Sequence, residues 1–334
     1  MPPQTTAPLG SANVTVGERL PTPLIDVVIV GYHSRELVLQ CLQTLPAAAD
    51  GLPVSVCVVD NGSNDGTVAA VGSWARAHPD IPTHVLDLGA NTGFAHASNV
   101  GMAHGGAPYL LTLNPDTAAE PMALRRLVEF AETQPSLGVV APALRNADGS
   151  PQLTGRAFPT AAAGLFGRRS PLTRWFPRNP WSARFLVERR HLGSDEPYRV
   201  DWVSGAAMLV PRAVVEQVGG FDEGFFLFWE DADWCRRIDA AGYAVWCLPS
   251  AQIVHDEGGT RGHVHTPMTT RSFHAGAYRY WTKHHAPQPW NPLRWLAGAA
   301  LAGRAGVLIL EYRRRTWPSR SRRVTRTASK GSPS

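Results

Sequence analysis

Short apolar runs alternating with amphipathic segments dominate the first 140 residues. Residues 24–30 are apolar apart from Asp26, and residues 54–59 end at Asp60. Two more runs, 83–88 and 109–113, end at polar segments, 89–95 and Asn114-Pro115-Asp116. Runs of this length read as buried parallel strands. Between the first two, Leu37, Val38, Cys41, Leu42 and Leu45 fall on one helical face, with Ser34 placed to cap it. A second helix is expected to about Ala77, a third over 98–104 and a fourth over 121–133, before a short strand at 138–141.

Periodicity is lost over 145–200, which is rich in Arg, Pro and Trp; so much irregular chain inside a compact domain reads as a functional loop or lid. It returns with a strand-like run over 200–210, a short helix, a helix over 230–241 stopped by Gly242, and a strand over 243–248 followed by 253–259. Strands alternating with helices imply right-handed crossovers and a mostly parallel sheet. Ligands of such sheets lie beyond the carboxyl ends of the strands. Asp60, residues 91–93 and residues 114–116 sit at three of those ends, although turns favour Asp, Asn and Gly for their own reasons.

Composition narrows the class. A 334-residue chain that is 44% hydrophobic can build a globular core. The net charge of +5 is concentrated at one end: residues 311–334 hold eight basic residues against Glu311, and the body is slightly acidic. A nucleic-acid-binding body is not indicated. Residues 1–22 lack a basic start with an apolar core and read as a disordered leader, not a signal peptide. Four scattered cysteines, Cys41, Cys57, Cys235 and Cys247, read as reduced core residues of a cytosolic protein.

Candidate chemistry centres on residues 225–237, where the apolar Phe225-Phe226-Leu227-Phe228-Trp229 meets Glu230, Asp231 and Asp233. Unpaired buried carboxylates cost several kcal/mol, so these must be solvated, paired or used. Glu230 and Asp231 also suit a helix N-terminus, and Asp233 can pair with Arg236 or Arg237. Crowded carboxylates raise one another's pKa, as a base working near neutrality requires. Asp60, an acceptor at a strand end, suits the imide N–H of uracil or thymine; an Asx turn or cap competes, a task Asp65 fits better. Asp116 and His255 are candidate ligands of a divalent cation, Mn²⁺ or Mg²⁺, with imidazole favouring Mn²⁺.

In order, Val28-Ile29-Val30-Gly31-Tyr32, the segment from Val58-Val59-Asp60-Asn61-Gly62 to Thr67, Asn91-Thr92-Gly93-Phe94 through Asn99 to Gly101, Leu113-Asn114-Pro115-Asp116, Gly219-Gly220-Phe221-Asp222-Glu223 and Trp229-Glu230-Asp231-Ala232-Asp233 resemble family 2 inverting glycosyltransferases of the GT-A fold over about 24–260. Within that family the chain is most similar to bacterial rhamnosyltransferases acting on polyprenyl-diphosphate N-acetylglucosamine, and residues 175–182 look like a segment of those enzymes.

The resemblance implies an α/β GT-A domain over 23–265, with a nucleotide-sugar half to about 141, an insertion over 145–200 and an acceptor half over 200–265. It implies Asp231 as catalytic base beside Glu230. Tyr32, Asp60, Asn91, Gly93, Phe94, Asn99 and Asn114 would face the nucleotide sugar, Asp116 and His255 the metal, and Trp202, Ser204, Gly205 and Trp229 the acceptor, with the aromatics before Glu230 as its wall. Asn114 stands where the usual Asp-x-Asp metal motif has its first acid. The implied reaction is one displacement, with Asp231 deprotonating an acceptor hydroxyl as it attacks the anomeric carbon of a nucleotide diphosphate sugar. The rivals are a uridine-dependent galactofuranosyl- or other hexosyltransferase and a non-catalytic sugar- or lipid-binding scaffold.

Beyond 266 the chain reads as C-terminal helices to about 315 and a basic disordered tail over 316–334. Residues 293–310 are mostly apolar but contain Arg294 and Arg304, with Trp290, Trp295 and Trp317 nearby. This reads as an interfacial helix on an anionic membrane surface, as a lipid-linked acceptor would require, and places the protein on the inner face of the plasma membrane.

Overall fold

The computed structural model describes residues 21–160, 194–256 and 266–316. The expectations for the leader up to residue 20, for residues 175–182, for 257–259 and for the basic tail from Trp317 lie outside the described residues.

The expected alternation is present. Strands β1 (Ile25–Gly31), β2 (Val54–Asp60), β3 (Thr83–Asp87) and β4 (Tyr109–Leu113) are joined by helices α1 (Arg35–Ala49), α2 (Thr67–Ala77) and α3 (Phe94–Met102). Next come β5 (Thr117–Ala119), α4 (Ala123–Glu132), β6 (Leu137–Arg145) and β7 (Gly155–Arg156). The second part holds β8 (Tyr198–Val200), β9 (Trp202–Val203), β10 (Ala207–Pro211), α5 (Arg212–Val218), α6 (Glu230–Ala240) and β11 (Ala244–His255). Helices α7 (Pro267–His284) and α8 (Pro292–Thr316) follow.

The main sheet runs β3-β2-β1-β4-β10-β6-β11-β5, with β8 on β11; β7 and β9 form a separate ribbon. The first four strands are parallel, while β10 is antiparallel to both β4 and β6. Register brings Gly31 beside Asp60 and Asp60 beside Asp87, so the carboxyl ends form one edge.

Strand β1 shows why its run is continuously apolar. Ile25, Val27 and Ile29 pack with α1, α2 and α4 residues such as Leu42, Trp74 and Leu127. Val28 faces the opposite layer, with Met102, Met208 and Trp234. Both faces are covered, and each fully buried aliphatic chain contributes about 1.5–3 kcal/mol. Asp26, the polar exception, accepts hydrogen bonds from the Ala107 amide and Arg212 at the other end of the strand.

Several boundaries differ from the sequence reading. The run over 200–210 is three strands, because Asp201 and the turn at 204–206 interrupt it. The segments at 243–248 and 253–255 are one strand that shifts register between Leu248 and Gln252. Helix α3 starts at Phe94, four residues before expectation, and α8 extends beyond 293–310 at both ends. Ser34 makes no side-chain cap; its Oγ accepts the Tyr32 amide instead. Asp65 does hold the start of α2, accepting the Thr67 amide at 3.1 Å. The four cysteines are buried and free, and burial pushes the Cys41 and Cys57 thiols up to about 12.

Candidate active site

Four chain segments meet at the carboxyl edge of the sheet. The first follows β2. Asp60 is 2% exposed, and its Oδ1 accepts the Ser63 amide at 3.2 Å. Burial raises its carboxyl above the ordinary value, against the lowering effect of Ser63. Tyr32 is exposed one residue beyond β1, next to this edge. The neighbouring Asn61 has no expected role in the sequence reading, yet it builds the second segment. Its Oδ1 accepts from the Thr92 amide (2.9 Å) and hydroxyl (3.1 Å), while its amide donates to Asn91 Oδ1 (3.2 Å) and the Gly93 carbonyl (3.3 Å). Asn91 in turn accepts the Gly93 amide at 3.1 Å.

Gly93 has φ +90°, and a Cβ there would lie 2.7 Å from the Phe226 carbonyl oxygen. That oxygen accepts the Phe94 amide at 2.7 Å. Only glycine permits both the dihedral and the approach, so Gly93 joins the 91–94 loop to the aromatic stretch before α6.

The third segment lies between two strands that approach from the other half. The Asn114 amide donates to the Ala206 carbonyl (2.8 Å), and the Asp256 amide to the Asp116 carbonyl (2.9 Å). His255 Nε2 thereby sits 3.4 Å from Asp116 Oδ1. Gln152 fixes the imidazole: its amide donates to Asn146 Oδ1 and to the His255 carbonyl, so its Oε1 accepts from His255 Nδ1 at 2.9 Å. With the proton on Nδ1, the Nε2 lone pair faces a carboxylate oxygen. Two acceptors so placed fit a cation between or beside them, with Gln152 as the outer partner that orients the ring. Among the described residues no third His, Cys, Asp or Glu joins them.

The fourth segment is the start of α6. Half-buried Asp231 accepts the Gly205 amide on Oδ2 (3.0 Å) and the Ala232 amide on Oδ1 (2.8 Å). Burial raises its carboxyl above the ordinary value; the Gly205 N–H, the Arg156 charge and the Ala232 N–H pull the other way. Ser204 and Gly205 lie in the turn whose next residue, Ala206, holds Asn114, so Asp231 and the Asp116 segment share one support. Glu230 is buried at the first position of α6. Asp233 pairs with Arg237 at 2.9 Å, as its helical spacing suggests, and not with Arg236.

Some expected contacts fall elsewhere. Asn99 brackets the Phe221 backbone, accepting its amide and donating to its carbonyl, both at 2.9 Å, and also donates to Glu223. Its amide ties α3 to the 219–223 turn. Trp202 is buried, its indole N–H bonded to the Ala157 carbonyl and its face covered by the Arg156 guanidinium at 4.8 Å. Nor do the aromatics before Glu230 form one wall. Phe225 is buried in the core, Phe226 meets the Gly93 loop, and Trp229 packs against Phe273 and Tyr280 of α7. The sequence reading missed Arg156 and Gln152 because both lie in the irregular stretch after β6, where no periodicity assigns a side chain to the site.

A three-layer α/β fold with acidic residues gathered at the carboxyl edge of a mostly parallel sheet belongs to the class of proteins that bind their ligands at that edge. Comparison with known proteins narrows it. Residues 26–191 match the family described as Glycosyl transferase family 2. The chain is 32% identical over 307 residues to an N-acetylglucosaminyl-diphospho-decaprenol L-rhamnosyltransferase of Mycobacterium tuberculosis, covering 88% of this chain and 96% of that one. It is 26% identical over 237 residues to the low-salt glycan biosynthesis hexosyltransferase Agl10 of Haloferax volcanii, covering 70% and 67%. A solved mannosyltransferase from Pyrobaculum calidifontis, in complex with GDP-Man and Mn²⁺, superposes with a TM-score of 0.54 at 19% identity, covering 87% and 73%. The chain belongs to glycosyl transferase family 2 and has the GT-A fold; it is a glycosyltransferase.

Proposed function

We propose that the protein transfers L-rhamnose, with inversion, from thymidine diphosphate rhamnose to a polyprenyl-diphosphate-linked saccharide in cell-wall or surface-polysaccharide synthesis. The end-to-end similarity to the mycobacterial rhamnosyltransferase supports the substrate class. The observation that carries the chemistry is Asp231, a carboxylate raised by burial and aimed by two backbone amides at the edge where the nucleotide loops end.

Asp60 accepts the imide N–H of the base, and the loop braced by Asn61 positions the sugar nucleotide through Asn91, Gly93 and Phe94. Asn114 lines the same edge. Asp116 and His255 would hold a divalent cation, which when bound supplies positive charge to the leaving diphosphate. The mannosyltransferase complex, which contains Mn²⁺, supports a divalent ion. Asp231 removes the proton from the acceptor hydroxyl as that oxygen bonds to the anomeric carbon and the bond to the diphosphate oxygen breaks, with Glu230 alongside. Its raised pKa favours base action near neutrality, and holding both reactants in line supplies much of the remaining acceleration. The turn at Ser204–Gly205 fixes the acceptor side.

The acceptor's lipid gives α8 a role as the membrane-docking element on the cytoplasmic face. The helix is long and apolar enough to cross a membrane, and no residue of it is buried. Trp290 is 79% and Trp295 74% exposed, and the last turn carries Arg313, Arg314 and Arg315. Aromatic anchors beside basic residues suit an anionic surface. The test is a thermal-shift panel of nucleotide sugars with and without Mn²⁺, followed by transfer to a polyprenyl-diphosphate N-acetylglucosamine. Stabilisation by thymidine but not uridine diphosphate sugars is expected; the reverse would favour a uridine-dependent hexosyltransferase.

A further inference from the structure

Phe228 and Trp229 have φ of +72° and +75°, and Trp229 is the residue immediately before α6. Two consecutive bulky residues in the left-handed region persist only where the surroundings over-determine them. Those surroundings belong to α7. A Cβ on Gly276 would lie 2.9 Å from the Phe228 carbonyl oxygen and 2.9 Å from Trp229 Cδ1, so the strained turn rests on bare helix backbone. One turn to either side, the Trp229 ring packs against Phe273 at 5.5 Å and Tyr280 at 5.4 Å.

Two anchors flank the turn. Asp233 is fully buried and meets Lys283 (2.8 Å) and His284 (2.7 Å) of α7 as well as Arg237 of its own helix (2.9 Å). Asp222 meets Arg279 and Lys283, each at 2.7 Å. Residues 273, 276, 280 and 283 recur at helical spacing, so one face of α7 grips the chain from 222 to 233. Asp231 lies within the gripped segment, and among the described residues the Gly205 amide is its hydrogen-bonded tether to a different element.

We propose that α7 is the positioning element of the transfer site, with Gly276, Lys283 and His284 as positioning residues that hold the Phe228–Trp229 turn and thereby aim Asp231. The proposal rests on Asp231 being the base. Helix α7 touches neither the nucleotide loops at 60–66 and 91–93 nor the Asp116–His255 pair in any contact above. The gripped segment meets the donor loop at the Phe226 carbonyl, which accepts the Phe94 amide and lies ahead of the Phe228–Trp229 turn; loss of grip on that turn therefore reaches the rate of the chemical step before it reaches donor binding.

The experiment compares full-length wild type, Gly276→Ala, Lys283→Met, Lys283→Arg and Asp231→Asn, using whichever nucleotide sugar the wild type turns over. Gly276→Ala and Lys283→Met are expected to lower kcat at least about tenfold, since misplacement on the order of 1 Å can cost a hundredfold. Donor KM should stay within about twofold, because only an interaction specific to the transition state is disturbed. The rise in melting temperature with the nucleoside diphosphate should persist, and Lys283→Arg should recover most of the rate. Wild-type kcat in folded Gly276→Ala and Lys283→Met overturns the proposal. So does a loss of kcat that follows a loss of folded protein or of donor affinity, which marks α7 as structural only. Asp231→Asn separates the two ideas: activity in that variant defeats the base assignment, whereas an inactive Asp231→Asn beside unimpaired α7 variants defeats only this one.

Discussion

Asp231 Oδ2 accepts the Gly205 amide at 3.0 Å, joining the first turn of α6 to the turn that precedes β10. Because Ala206 of that same turn accepts the Asn114 amide, a shift at 204–206 moves the base and the Asp116 segment together. The relationship makes the pH behaviour of transfer a readable property of the site.

Burial raises the Asp231 carboxyl, so the base is protonated at pH values where an ordinary aspartate is ionised. The acid limb of kcat/KM is expected above the usual carboxylate range, activity falling as pH drops through the raised pKa. Arg156→Gln removes a charge that lowers this pKa, and the limb should move to higher pH. For stability the sign is opposite. A folded-state pKa raised above the unfolded value contributes stability at low pH that is lost as pH rises through the folded pKa. The stability of wild type should therefore fall as pH rises through the raised pKa, a pH dependence that Asp231→Asn lacks, measured by calorimetry at several pH values.

Asp116→Ala should weaken Mn²⁺-dependent binding of the nucleoside diphosphate, and chelation should do the same to wild type. Gln152→Leu, which frees the His255 ring, is expected to cost about 10–100-fold in metal affinity. Titration calorimetry with Mn²⁺ checks both; unchanged affinity in Asp116→Ala would refute its role.

Replacing Trp295 and Leu296 by Glu should abolish co-sedimentation with anionic vesicles. Both side chains are exposed on α8, so the fold and donor hydrolysis should survive. Wild-type protein that stays in the supernatant with such vesicles would count against membrane docking.

Asp26 offers a test of the fold itself. It is 5% exposed and pairs with Arg212 Nη2 at 2.5 Å. Asp26→Ala leaves a half-buried guanidinium without its carboxylate and should cost about 3–5 kcal/mol in denaturant unfolding.

How much of this could be read from the sequence follows from sequence distance. The β1–β4 alternation and the polar strand ends were legible because apolar runs, glycines and strand-end acids are local signals. So was the Glu230–Asp231 helix start. The Asp26–Arg212 pair spans 186 positions and the α7 grip joins residues some 50 apart, and neither leaves a local pattern. Asn99 and Trp202 were assigned outward because their motifs border the site; their side chains instead satisfy buried backbone groups of Phe221 and Ala157. The aromatic stretch read as one wall because periodicity cannot show that two left-handed residues split it.

The central claim is that Asp231 is the base, and rate measurement on Asp231→Asn tests it most directly. Transfer from the nucleotide sugar to a polyprenyl-diphosphate acceptor should fall by roughly 10²–10⁴-fold, the usual worth of a positioned base, while thymidine diphosphate still raises the melting temperature. Turnover close to wild type in a folded, nucleotide-binding Asp231→Asn protein would contradict it.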